Sequence, residues 1–231
     1  MPYTQPDSKT IQSIFDSIPE RYDLLNTVFS LSLDRNWRKK AAQSVIEGNE
    51  NSLLDIGVGT GKSILEFLKI KPFQLSVGCD FSKGMLTVAK NHVNGTKLAC
   101  ADLHSLPFAD ESFDIVTSSF VLRSVQDMKK FLSEVYRVLT KRGKFVFLDL
   151  TRPTNPLIWN FLYWPYLNFY IPLIGRTISR HERAYQFLSQ SIQHFIDPVI
   201  LKTQLENAGF QDVSFKPLTF GISTLFKGKK E

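Results

Sequence analysis

Asp55-Ile56-Gly57-Val58-Gly59-Thr60-Gly61-Lys62-Ser63 is the stretch on which the fold turns. An apolar run at 52–57 leads into it and a helical pattern at 62–68 leads out. Glycines at every second position let the backbone turn tightly and let a ligand approach the peptide planes. Gly61-Lys62-Ser63 has the ending of a phosphate-cradling loop. That loop needs another glycine five positions before Gly61, and Ile56 stands there. A dinucleotide fingerprint needs a glycine at its sixth position, where Lys62 would hold the helix away from the strand. What remains is a G-x-G-x-G loop with an acid, Asp55, just before it.

Outward from the loop, short apolar runs alternate with helical ones. Runs 52–57, 75–80, 97–102, 113–120 and 144–150 read as strands buried on both faces; 62–68, 83–91 and 128–139 read as helices. That alternation predicts a parallel sheet wrapped by helices. Asp197 and Pro198 start another helix, as N-cap and first turn, and Gly209 ends it. Two further runs, 211–216 and 219–227, lie close enough together to pair antiparallel. On the other side, Ile11, Ile14, Phe15 and Ile18 form an amphipathic stripe that Pro19 ends. A second helix spans 22–30, a turn follows at Ser32-Leu33-Asp34, and a basic helix carries Arg35, Arg38, Lys39 and Lys40.

Across 231 residues, 28 Lys and Arg against 22 Asp and Glu leave a net charge of +6. This suits an anionic surface, nucleic acid or lipid. The aromatic residues favour lipid, because they crowd into PLIWNFLYWPYLNFYIPLIG (156–175), which carries no charge. Its length could span a bilayer. Pro165, Pro172, Asn160 and Asn168 oppose that, while Trp159, Tyr163, Trp164, Tyr166 and Tyr170 suit a membrane interface. Arg176, Arg180 and Arg183 follow at once. The expectation is a lid touching lipid or a greasy substrate, with peripheral attachment and no nucleic-acid partner. Two cysteines, Cys79 and Cys100, make neither a disulfide framework nor a metal cluster. His92, His104, His181 and His194 lack ligand spacing. The opening residues carry neither a signal-peptide core nor an Arg-rich leader, so the chain reads as intracellular.

The acid-led glycine loop resembles the nucleoside loop of Rossmann-like S-adenosylmethionine-dependent methyltransferases. Asp80 closes the second strand, where a carboxylate can bind ribose hydroxyls. Asp102 ends the third, where it can accept from an adenine amino group. The Leu106-Pro107-Phe108 turn and the Asp114 strand follow in the same order. From about Ile14 to Gly228 the chain resembles the ubiquinone and menaquinone biosynthesis C-methyltransferases. Tyr22-Asp23-Leu24-Leu25-Asn26, Ser30 and Trp37 carry the first signature, and Phe120-Val121-Leu122-Arg123-Ser124-Val125 the segment after the fourth strand. Arg137-Val138-Leu139-Thr140-Lys141-Arg142-Gly143 and Leu148-Asp149 carry the second signature. Ala184-Tyr185-Gln186-Phe187-Leu188, Ser191-Ile192 and Ala208-Gly209-Phe210 match further on. Four departures stand out: Lys141-Arg142-Gly143 for Pro-Gly-Gly, Ser124 for Asn, Asp149 for Glu and Phe226 for His.

The resemblance implies an α/β, Rossmann-like methyltransferase with a mostly parallel seven-stranded sheet whose last strand is antiparallel. It implies one domain over 1–231, comprising a helical lid (1–48), a cofactor-binding core (49–150), an aromatic helical insertion (151–195) and a final helix with an antiparallel strand pair (196–231). The implied cofactor is S-adenosylmethionine, on Asp55, Gly57, Gly59, Thr60, Gly61, Asp80, Asp102, Leu103 and Ser119. The implied reaction is C-methylation of a reduced polyprenyl quinol, demethylmenaquinol to menaquinol, or of a ubiquinone precursor. A quinone ring is electron-poor and does not attack; its hydroquinone does, once a phenolic proton leaves. Positioning supplies roughly 7–11 kcal/mol, and proton removal roughly 10²–10⁴-fold. Arg123, always protonated, is the candidate to stabilise the phenolate or orient a water; a purely structural role would pair it with Asp127. Tyr22, Asp23 and Asn26 share one helix, with Tyr22 and Asn26 on one face, and are expected to close over cofactor and ring. Asp149 and Tyr185 are expected at the substrate. The implied setting is the cytoplasm of a bacterium with peripheral contact to its inner membrane; a homodimer is compatible. Two rivals are a methyltransferase for another hydrophobic phenol and a silent fold scaffolding a quinone-synthesis complex.

Overall fold

Strand order is what places the site. The computed structural model describes residues 6–17, 19–171 and 182–231. Its strands are β1 (Ser52–Ile56), β2 (Leu75–Asp80), β3 (Lys97–Cys100), β4 (Phe113–Ser119), β5 (Leu139–Leu150), β6 (Gln211–Leu218) and β7 (Ser223–Lys229). They form one sheet in the order β3-β2-β1-β4-β5-β7-β6. β1 to β5 pair parallel, and β7 runs antiparallel to both β5 and β6. The order reverses between β1 and β4. Open sheets of this kind bind ligands outside the carboxyl ends of the strands at such a reversal.

The central strands are apolar because both faces are covered. Leu54, Ile56, Val116, Phe145 and Phe147 face one helical layer, where α6 (Met128–Val138) contributes Phe131 and Val135 and α8 (Pro198–Asn207) contributes Leu201 and Leu205. Leu53, Ile115, Val146 and Leu148 face the other, against Trp37 and Ala41 of α3 (Leu33–Gln43) and Ile64 and Phe67 of α4 (Lys62–Leu68). Burial on both faces fails at β3, an edge strand whose ends are exposed. Arg142 adopts φ 63° within β5, where a glycine would fit without cost. Phe226 is fully buried against Phe215, so the position that carries His in the resemblance is plain core here.

At the N-terminal end, α1 (Ser8–Ser17) and α2 (Pro19–Phe29) precede α3. α5 (Lys83–His92) follows β2, and α7 (Glu182–Gln193) precedes α8. The aromatic stretch is helical, with two π-helical segments, Ile158–Tyr163 and Tyr166–Tyr170, on either side of Trp164 and Pro165. Trp159, Tyr163, Leu167 and Ile171 recur every four residues and are buried with Ile192 of α7. The wider π turn keeps that spacing on one face. Leu157, Phe161, Leu162 and Phe169 on the remaining surface are all more than half exposed. Among the described residues no helix is long and apolar enough to cross a membrane. Arg176, Arg180 and His181 lie outside the described residues, as does the side chain of Arg183.

Candidate active site

The glycine loop is stitched to the neighbouring strand before any ligand is considered. Gly57 and Val58 N–H groups donate to the Cys79 carbonyl at 2.8 and 2.9 Å. Gly57 sits at φ 70°, and a Cβ there would lie 2.3 Å from a Val121 methyl, so side chain and backbone both require glycine. At the end of β2, the two Asp80 oxygens accept from the N–H groups of Gly59 and Ser82, each at 2.9 Å. Burial raises the Asp80 carboxyl from its ordinary value, and these hydrogen bonds pull the other way. Just beyond β3, one oxygen of Asp102 accepts from both the backbone N–H and the ring Nδ1 of His104, at 2.9 and 2.8 Å. Partial burial opposes ionisation there, yet the His104 bonds hold the Asp102 carboxyl below the usual range.

Asp80, Asp102, Gly57, Gly59, Leu103 and Ser119 all line one cavity of about 350 Å³, with Ile56, Met85 and Val121 as apolar wall. Its position is the crevice outside β1, β2 and β4. Two carboxylate acceptors beside an apolar wall suit a nucleoside, whose hydroxyls and exocyclic amine donate and whose base packs.

The other expected loop residues build the cavity without lining it. Gly61 takes φ 91° at the start of α4. The Thr60 hydroxyl donates to Asp23 at 2.6 Å, and the Thr60 carbonyl faces His92 Nδ1 at 3.1 Å. Asp55 is fully buried below the loop, and neither carboxylate oxygen completes a hydrogen bond. Burial pushes its carboxyl up to about 7, opposed by the charge of Arg38 and reinforced by that of Asp80.

A second, narrower cavity of about 90 Å³ is walled mainly by rings and aliphatic side chains, among them Phe29, Trp37, Tyr163, Leu167, Phe187 and Ile192, with Ser30, Asp34 and Ser124 also in its lining. Arg123 reaches into this wall from the short helical turn Leu122–Ser124. Its Nε and its backbone N–H donate to the two oxygens of Asp149, at 2.5 and 3.2 Å, and a terminal nitrogen donates to Ser191 at 2.9 Å. The anticipated structural partner, Asp127, instead caps α6 by accepting from the Lys130 N–H. Asp149, expected at the substrate, is fully buried behind Arg123 and serves as its counter-ion. Asn26 lines the cavity with a buried amide nitrogen that meets no acceptor. Asp23 turns the other way, to Thr60 and to Lys62 at 3.6 Å. Tyr22 and Tyr185 lie on α2 and α7, with side chains outside the described set.

Phe15, Phe120 and Ser124 border both cavities. Group transfer between two bound molecules would take place at this junction. Ser124 is also one of the four departures, so the shorter side chain stands where the two ligands would meet. The lid is tied down around the junction: Gln12 donates to the Phe81 carbonyl at 2.8 Å, Ser82 donates to Asp16, and the Tyr166 hydroxyl donates to the Phe29 carbonyl. Sequence reasoning gave His104 no role, although a residue two places after an Asp is where an Asx-turn returns its N–H. Among the described residues no group of three His, Cys, Asp or Glu is placed to hold a metal.

Comparison with known proteins identifies the family. Residues 3–230 match the model of the ubiE/COQ5 methyltransferase family. The demethylmenaquinone methyltransferase of Thermotoga maritima is 35% identical over 221 residues, 95% of this chain and 96% of that protein. The ubiquinone/menaquinone biosynthesis C-methyltransferase UbiE of Citrifermentans bemidjiense is 37% identical over 227 residues, again 95% and 96%. Among solved structures, a SAM-dependent methyltransferase from Thermotoga maritima superposes with a TM-score of 0.68 at 18% identity, over 96% of this chain and 100% of that one. That likeness speaks for the fold alone.

Proposed function

The chain belongs to the ubiE/COQ5 methyltransferase family, and from that premise we propose that it methylates a ring carbon of a reduced polyprenyl quinol, converting a demethylmenaquinol to a menaquinol. It is a C-methyltransferase of quinone biosynthesis that uses S-adenosylmethionine. The observation that carries the substrate reading is the meeting, at Phe15, Phe120 and Ser124, of a cavity that holds two strand-end carboxylates with one walled mainly by aromatic and aliphatic side chains around Arg123. The residues fit the cofactor: Asp80 and Asp102 are acceptors for ribose and adenine, and Gly57 and Gly59 line the same cavity beside them. When bound, the cofactor supplies an electrophilic sulfonium methyl.

The chain's own residues have three tasks. Lid and aromatic insertion exclude water and bring the ring carbon to the junction, where orientation is worth roughly 7–11 kcal/mol. Arg123, aimed by Asp149 and Ser191, stabilises the phenolate or orients a water that carries the phenolic proton away. A guanidinium stays protonated and does not take that proton itself. The apolar wall from Leu167 and Ile171 to Phe187 and Ile192 houses the start of the isoprenoid tail.

Contact with a membrane completes the reading. The insertion turns one face to the acceptor cavity and exposes Leu157, Phe161, Leu162 and Phe169 on the other. Aromatic and aliphatic side chains in that arrangement, on a chain of net charge +6, fit peripheral attachment to an anionic bilayer. The decisive experiment incubates the protein with methyl-labelled S-adenosylmethionine and a panel of reduced quinols, reading product by mass. Label in the demethylmenaquinol ring supports the assignment. Label only in another phenol moves the substrate, and binding of cofactor without label in any acceptor marks a silent scaffold.

A further inference from the structure

His104 stands where the cofactor cavity meets α6, and its hydrogen bonds set its tautomer. The Asp127 N–H donates to Nε2 at 3.2 Å, so Nε2 is the bare nitrogen. The ring proton therefore sits on Nδ1, which donates to Asp102 at 2.8 Å. The His104 backbone N–H donates to the same Asp102 oxygen at 2.9 Å. Both bonds fall on Oδ1, and Oδ2 accepts nothing among the described residues. The Asp102 side chain remains 68% exposed and lines the cavity. An exposed carboxylate with no such bonds would sample several rotamers.

We propose that His104 is a positioning residue for the cofactor: it clamps one oxygen of Asp102 so that the other stays open and aimed at the exocyclic amine of the bound base. The inference rests on the reading of Asp102 as the adenine contact. Its chemistry is directional. A clamped carboxylate only accepts, which matches an amino group and mismatches a ring carbonyl. The second anchor, from the Asp127 N–H, ties the clamp to the N-terminus of α6, where Asp127 is the cap. Groups with charge facing His104 are Asp102, Asp127 and, behind them, Lys130.

Three variants separate the clamp from mere loop anchoring. In His104→Asn the amide nitrogen takes the place of Nδ1 and keeps the donor to Asp102. In His104→Gln the side-chain oxygen takes the place of Nε2 and keeps the acceptor for Asp127. His104→Ala loses both. Calorimetric titration with S-adenosylhomocysteine should show Kd raised at least about fivefold in the Ala and Gln variants and nearly unchanged in Asn, since one hydrogen bond to a charged group is at stake. In an Asp102→Ala background, His104→Ala should add nothing, the signature of action through a shared partner. With saturating cofactor, kcat should stay within about twofold. Retained affinity in Gln with loss in Asn would overturn the proposal in favour of loop anchoring. Unchanged affinity in His104→Ala, with loss in Asp102→Ala, would overturn it while leaving the adenine contact standing. Unchanged affinity in Asp102→Ala would sink both.

Discussion

The two cavities that meet at Phe15, Phe120 and Ser124 are built on different physics. On the cofactor side, backbone amides do the positioning: Gly59 and Ser82 hold Asp80, Cys79 holds the loop, and His104 holds Asp102. These groups stand at the ends of strands whose register is set by the sheet, so the site is preorganised and sparing of side-chain freedom. On the acceptor side, rings from α1, α2, the insertion and α7 form the wall, and few hydrogen bonds bind them. Asp34, held by Ser30 and Arg38, also lines that wall, and the exception beside the junction residue Ser124 is Arg123, which Asp149 and Ser191 grip. A polar ligand with fixed donors calls for the first kind of site. A greasy ring and tail call for the second, with a fixed cation beside the junction.

The largest expected effect tests that exception. Arg123→Ala should lower kcat at least about a hundredfold while cofactor Kd moves less than about threefold. It also leaves buried Asp149 unpaired, which costs about 3–5 kcal/mol of stability. Combining it with Asp149→Asn should restore much of the thermal midpoint and none of the turnover. Recovery of turnover in the double variant would make Arg123 a fold-holding residue and erase the contrast.

Next in size is the cofactor side. Asp80→Ala should raise the S-adenosylmethionine Kd at least about tenfold, because a charge-assisted hydrogen bond is worth roughly 1.5–3 kcal/mol. A change under about threefold in calorimetry would remove Asp80 from the ribose.

A pH experiment probes the support beneath that side. Burial raises the Asp55 carboxyl from 3.8 to about 7. Between those values the folded chain keeps a proton that the unfolded chain has lost, so the contribution of Asp55 to stability falls as pH rises through the window. Above about 7 the full cost of burying the charge is felt. Asp55→Asn should therefore gain on the unsubstituted protein between pH 4 and 8, by an amount on the order of a few kcal/mol in urea titrations. Parallel curves for the two proteins would mean that Asp55 is ionised throughout.

The smallest effect on chemistry sharpens the outer face of the acceptor side. Phe161→Ser with Phe169→Ser should leave turnover of a short-tailed quinol within about twofold, as both rings point to solvent. The same pair should weaken co-sedimentation with anionic vesicles, and salt should weaken it further. Unaltered sedimentation would restrict the insertion to covering the active site.

The sequence carried its strongest signals where local rules suffice. Spacing of glycines, alternation of apolar runs and the strand-end acids lie within short windows, and the observed β1, β2, β4 and α4 to α6 follow them closely. Two of the differences have reasons that no local window contains. β3 is an edge strand and thus half exposed. The partner of Arg123 comes from the end of β5 because β4 and β5 are neighbours in parallel register there, Ser119 beside Leu148.

By itself, then, the sequence determined the phosphate-free glycine loop, the strand–helix alternation and the candidate acids at strand ends, since each follows from backbone sterics and hydrophobic period. Only the tertiary structure decided that β7 enters between β5 and β6, that Asp149 and Ser191 converge on Arg123, and that two cavities share Phe15, Phe120 and Ser124. Those pairings join residues far apart along the chain. Which of many such pairs form is settled by how strands and helices pack together, a collective choice that local sequence patterns do not encode.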